Sequence, residues 1–160
     1  MKNPDPESVI FEQVDGILSK VKLNRTCERT IEIFPVITDG IYLFEIIYQN
    51  LTGFSQGPGI MKESLNIIND MNPCDVKSVV CFNACDGFIY YKGQVDQGNS
   101  EYSNNQKIGL ELDKGKGTLH FFIDGVQQPV FVRGINEPVK FYKLLAPITH
   151  TLPDEKAVDW

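Results

Sequence analysis

Histidine and cysteine are scarce in this chain of 160 residues, two of the first and four of the second. A hydrolase would have to draw on His120, on His150 or on a pair of carboxylates, and no serine or cysteine motif sets a nucleophile beside either histidine. Cys27, Cys74, Cys81 and Cys85 include no Cys-x-x-Cys pair, which removes the usual frame of a structural zinc. Cys81 and Cys85 share one face of an extended run but would stand about 13 Å apart along it, too far to ligate one ion. With a core large enough to do without staples, the four are expected to be reduced, buried thiols. No metal and no cofactor is expected.

Positive charge is also in short supply. Lysine and arginine number 15 against 21 aspartates and glutamates, a net charge of −6, and the sequence pI is about 4.9. Broad attraction to nucleic acid or to an anionic membrane is therefore not expected. No apolar run approaches the length of a membrane span, and the opening Met-Lys-Asn-Pro-Asp-Pro-Glu-Ser has no apolar centre such as a secretory signal needs. These absences predict a soluble intracellular protein, cytoplasmic or nuclear, without membrane insertion. Asn24-Arg25-Thr26 and Asn50-Leu51-Thr52 match the glycosylation pattern, which has no use without a secretory route. Internal repeats and low-complexity tracts are missing too.

What is present is apolar alternation. With 42% apolar and 11% aromatic residues, the chain can bury the core of one ordinary domain. Ile108, Leu110 and Leu112 alternate with small or charged residues, a glycine-rich loop follows, and Leu119, Phe121 and Ile123 alternate again before Asp124-Gly125. Period-two alternation interrupted by turn residues predicts a β-hairpin with one buried face. The run from Thr30 to Ile37 alternates as well, with Pro35 marking a strand end or a sheet edge. Ile41 to Tyr48 is dense in branched and aromatic residues and reads as a central strand. Ser78 to Phe82, an Asp86-Gly87 turn and Phe88 to Lys92 form a second hairpin. Gln128 to Arg133 and Pro138 to Leu145 add two more strands.

The remaining stretches predict less regular structure. Residues 50–75 read as a variable loop region, in which Met61, Leu65 and Ile68 would also suit a short amphipathic helix. Residues 94–106 are polar and read as a solvent-facing loop and a contact surface. Gly16 to Leu23 fits short extended pieces as well as a helical turn. The expected organisation is a loose arm over residues 1–8, one domain over 9–146 and a polar tail over 147–160.

Motifs that suggest chemistry have plainer explanations. Gly115-Lys116-Gly117-Thr118 is superficially a phosphate loop, but it opens a strand where such a loop must open a helix. His120 is flanked by Leu119 and Phe121 and so points to the opposite face, as a half-exposed strand histidine. Asp39, Asp86, Asp113 and Asp124 sit at turns, where aspartate bonds local backbone. Of Tyr90, Tyr91, Tyr102, Phe141 and Tyr142, about half should be core by alternation. The rest would suit a peptide-binding patch.

Gly109-Leu-Glu-Leu-Asp113 followed by Gly117-Thr-Leu-His-Phe-Phe-Ile-Asp-Gly125 resembles the signature hairpin of SPRY domains. Gly40 followed by Leu43-Phe44-Glu45-Ile46 is similar to a second family segment, keeping the glutamate and replacing both larger aromatics. The Asp86-Gly87 hairpin ending at Gly93 fits as well, and Phe141-Tyr142-Lys143-Leu144 resembles the closing strand without its proline. The resemblance runs over 40–145 and is strongest over 78–145.

It implies an all-β fold, a bent antiparallel β-sandwich of two sheets with the jelly-roll architecture shared by concanavalin-like proteins. It also implies a non-enzymatic adaptor that binds a protein or peptide partner through inter-strand loops, with no small-molecule ligand. By position those loops are 50–75, 94–106 and 133–136. The candidate partner-binding residues are Phe54, Gln56, Tyr91, Tyr102, Arg133 and Asn136. The competing expectation is a carbohydrate-binding, lectin-like sandwich, since polar amide-rich loops suit sugars.

Overall fold

The computed structural model describes residues 7, 9–15, 18–23, 29–49, 51, 57–66 and 73–145. Along the chain the strands are β1 (Val9–Asp15), β2 (Leu18–Leu23), β3 (Arg29–Ile37), β4 (Ile41–Ile47), β5 (Pro58–Lys62), β6 (Val79–Phe82) and β7 (Ile89–Tyr91). They continue with β8 (Gln94–Asp96), β9 (Lys107–Asp113), β10 (Thr118–Ile123), β11 (Val126–Gln127), β12 (Val132–Arg133) and β13 (Val139–Leu145). A single 3-10 turn, Pro73–Asp75, is the only helical element among the described residues.

Two antiparallel sheets face each other. One runs β3-β13-β5-β6-β7-β8; the other runs β11-β10-β9-β4, with β12 also pairing to β10. β1 and β2 form a separate hairpin, so Leu18–Leu23 of the uncertain Gly16–Leu23 stretch is strand.

The hairpin of β9 and β10 forms as its alternation predicts, with Leu110 opposite Phe121 and Ile108 opposite Ile123. Ile108, Leu110, Leu112, Leu119 and Phe121 are fully buried, and Ile123 is nearly so. At roughly 1.5–3 kcal/mol per large apolar side chain, this face anchors the sandwich. Phe82 meets Phe121 at 5.0 Å between ring centroids and Phe44 meets Phe141 at 5.3 Å, so the sheets interlock through aromatic pairs.

Pro35 lies in β3, an edge strand of its sheet among the described residues. The ladder slips there: Ile37 faces Val139, while Ile33 already faces Phe141. Proline has no amide hydrogen to give the ladder, and a bulge at an edge accommodates it.

Four expectations are corrected. β5 lies inside the six-stranded sheet, where residues 50–75 read as a variable loop; Met61 is buried in it and not on a helix. Its Gly-Pro-Gly composition hides a strand because Gly59 must stay bare. A Cβ there would sit 1.8 Å from the Val80 carbonyl oxygen and 2.8 Å from the Tyr142 ring. Tyr142 crosses that glycine from β13 and donates its hydroxyl to the same carbonyl at 3.2 Å.

β4 is an edge strand among the described residues, not a central one, and Ile41, Leu43 and Ile47 are exposed on its outer face. The polar 94–106 stretch begins with β8 and then turns inward, burying Asn99 and Tyr102. Of 128–133, only Val132–Arg133 is strand. There Asn99 exchanges two hydrogen bonds with the Val130 backbone, and Gln128 accepts from the Ser100 amide. These bonds take the place of a ladder.

The cysteines depart partly from expectation. Cys81 is buried, Cys74 half-buried and Cys85 exposed, while Cys27 lies outside the described residues. Cys74 and Cys81 bring their sulfurs to 2.7 Å, and that hydrogen bond pushes the Cys74 thiol pKa up.

Candidate binding cleft

Glycines and tight turns shape one end of the sandwich. β7 and β8 are joined by Lys92 and Gly93 alone, with φ of 53° and 76°. Positive φ at both positions is what a two-residue hairpin turn needs. The turn carries Lys92 outward, its ammonium 4.8 Å from the centroid of the Tyr91 ring, and hydrogen bonding to Tyr91 raises the Lys92 pKa.

The facing wall is the segment from Arg133 to Glu137. The Ile135 amide donates to the Gly117 carbonyl at 3.0 Å. Lys114 donates to the carbonyls of Ile135 at 3.1 Å and Glu137 at 2.7 Å. Gly117 has φ of 64°, and a Cβ on it would meet the Ile135 backbone at 3.2 Å. The glycine-rich loop therefore serves as the brace of this wall.

Between the walls lies a small, open cleft. Ile60, Val80 and Val139, all buried, form its floor. Lys62, Lys77, Lys92 and Glu137 line it as well. Lys62 bonds Glu137, and that bond holds the Glu137 carboxyl below the usual carboxylate range.

No family model matches the sequence, and neither does any curated protein. Solved structures do. The crystal structure of the SPRY domain of human HERC1 is similar at a TM-score of 0.64 with 15% identity, covering 91% of this chain and 98% of that one. A human SPRY domain crystal structure gives 0.66 and 14%, over 89% of this chain and 91% of that one. The PSpry domain of TRIM65 gives 0.54 and 13%, over 74% and 67%. The chain has the SPRY fold.

On that SPRY frame the six sequence candidates scatter. Tyr91 lines the cleft, and Arg133 and Asn136, both exposed, flank its Gly134-Ile135 wall. Tyr102 does not belong to a surface. It is buried, with Phe82 at 4.9 Å and Tyr48 at 6.5 Å between ring centroids, and its hydroxyl is bonded to the Phe82 carbonyl oxygen. Phe54 and Gln56 lie outside the described residues. Phe141 and Tyr142 are core. Sequence reasoning missed Lys62, Lys77 and Lys92, which are far apart in the chain and meet only through the pairing of β5, β6 and β7.

Asp86, Asp113 and Asp124 bond backbone as expected of turn aspartates. Asp113 accepts from the Lys116 amide and Asp124 from the Lys107 amide, and these backbone bonds lower both carboxyl pKa values. His120 is half-buried, its ring stacked on Phe131 at 4.6 Å and 3.2 Å from the Gln127 amide nitrogen. Among the described residues no group of three or more metal-ligating side chains converges. None of their helices is long and apolar enough to cross a membrane.

A second surface of the SPRY sandwich went unnoticed in the sequence. On the outer face of the β4-β9-β10 sheet, Gly109 floors a shallow groove between Leu43 and Phe122. Lys107 and Glu45 are ion-paired at its edge at 2.8 Å.

Proposed function

We propose that this chain is a protein-interaction module, an adaptor that grips a short segment of an intracellular protein and acts by occupancy rather than catalysis. The observation that carries the reading is the cleft at the end of a SPRY-fold sandwich. It has an apolar floor between a braced loop wall and a tight lysine-bearing turn. An apolar, preformed concavity with polar groups around its mouth is the usual form of a binding site. Tyr91 adds the kind of rigid, amphipathic area on which peptide interfaces draw.

The test is capture from a cell extract by the wild-type chain and by Ser78→Trp, which fills the cleft from its β6 side. Proteins held by the wild type should be lost from the variant at an unchanged melting temperature. An identical captured set would move the binding site elsewhere. A specific signal on a glycan array would replace the reading with carbohydrate binding.

A further inference from the structure

The side chains around the cleft narrow its ligand, and the inference that follows rests on the protein-binding reading above. We infer that the cleft takes an acidic peptide segment carrying an apolar side chain. Ile60, Val80 and Val139 make a floor that only an apolar group can cover without stranding a polar one. Three lysines, Lys62, Lys77 and Lys92, line the same cleft against one carboxylate, that of Glu137, which bonds Lys62 and also attracts Lys92. The lining therefore keeps an excess of positive charge, carried by the exposed Lys77 and Lys92 beside the backbone turn at Gly93. A carboxylate placed there gains charge-assisted hydrogen bonds. A lysine or arginine there is repelled.

The chain as a whole is acidic, with a net charge of −6, which by itself would repel such a peptide. Screening decides the matter: at about 0.15 M salt, exposed charges beyond about 8 Å are largely masked. The lysines that touch the ligand outweigh the distant carboxylates.

The experiment is a random peptide array sorted by net charge, probed with the full chain at about 0.15 M salt. Acidic peptides that contain leucine, isoleucine or phenylalanine should be retained about tenfold over neutral ones, and added salt should weaken them. The double variant Lys77→Ala/Lys92→Ala should lose that preference by about tenfold. Its melting temperature should hold, because both side chains are exposed. Lys77→Glu/Lys92→Glu should turn the preference toward basic peptides.

Retention without regard to charge, or a preference that survives in the lysine variants, overturns the inference and leaves protein binding standing. Equal retention of a single-stranded oligonucleotide overturns it too, by assigning the cleft to polyanions at large. If no peptide class is retained the inference falls, and the Ser78→Trp capture separately decides the broader reading.

Discussion

Tyr102 donates its hydroxyl to the carbonyl oxygen of Phe82 at 2.8 Å, across 20 residues of chain, while the two rings meet at 4.9 Å. One side chain thus fastens the polar 97–106 segment to the strand at the heart of the six-stranded sheet. Tyr102→Ala should cost about 3–5 kcal/mol, as loss of a core aromatic does. Tyr102→Phe, which keeps the ring and loses the bond, should cost about 1 kcal/mol. Urea denaturation of the pair measures both.

Tyr48 gives the opposite sign. It lies 6.5 Å from Tyr102 between ring centroids, and its buried hydroxyl has no hydrogen-bond partner among the described residues. Burial holds its phenol pKa well above the ordinary value. A buried hydroxyl that makes no bond is a net cost, so Tyr48→Phe should raise stability by about 1 kcal/mol. A loss of stability in the same urea experiment would refute this.

Lys143 should make stability depend on pH. It is 7% exposed, and burial lowers its pKa to about 8, against about 10.4 in an unfolded chain. Between those values the unfolded chain binds more protons than the folded one, so stability rises with pH; below about 8 both states are protonated and the slope vanishes. The charge penalty at neutral pH is on the order of 3 kcal/mol. Lys143→Met should therefore be the more stable protein at neutral pH and should lack the rise. The difference between the two proteins, followed by urea midpoints across this window, isolates Lys143 from the tyrosines that titrate above it. A difference that does not change with pH would count against the assignment.

Gly117 and Gly125 both have positive φ, yet only Gly117 touches the cleft wall. An alanine at Gly125 has nothing within 4 Å of its Cβ and should cost only the backbone strain of about 1–2 kcal/mol. Gly117→Ala carries the same strain and also presses on Ile135. It should cost more and should weaken partner capture, which Gly125→Ala leaves intact. Thermal melts read with the capture assay separate the two effects, and equal behaviour of the variants would show that the wall does not depend on this contact.

The parts of the fold legible in the sequence were those where one face is buried and the other wet. The β9–β10 hairpin announces itself because Ile108, Leu110 and Leu112 alternate with residues that water accepts. β5 does not, because Pro58 and Gly59 are chosen for the close approach of Tyr142 and the β6 backbone, and no alternation survives. β4 misled in a different way: Ile41, Leu43 and Ile47 have the composition of a doubly covered strand but lie bare on the outer face. Tyr102 misled because its neighbours are polar, and local composition carries no trace of a partner 20 residues away. Of the candidate residues only Tyr91 lines the cleft, with Arg133 and Asn136 beside its wall; the cleft's lysines needed the strand pairing to be known.

The position of β13 governs how this protein can be made. It sits between β3 and β5, with Arg29 paired to Leu145, so the larger sheet has a vacant slot until β13 leaves the ribosome. The β9–β10 hairpin can close during synthesis, since its partners are neighbours in the chain. The sandwich cannot, and its completion must wait for β13 to thread home after translation has passed it.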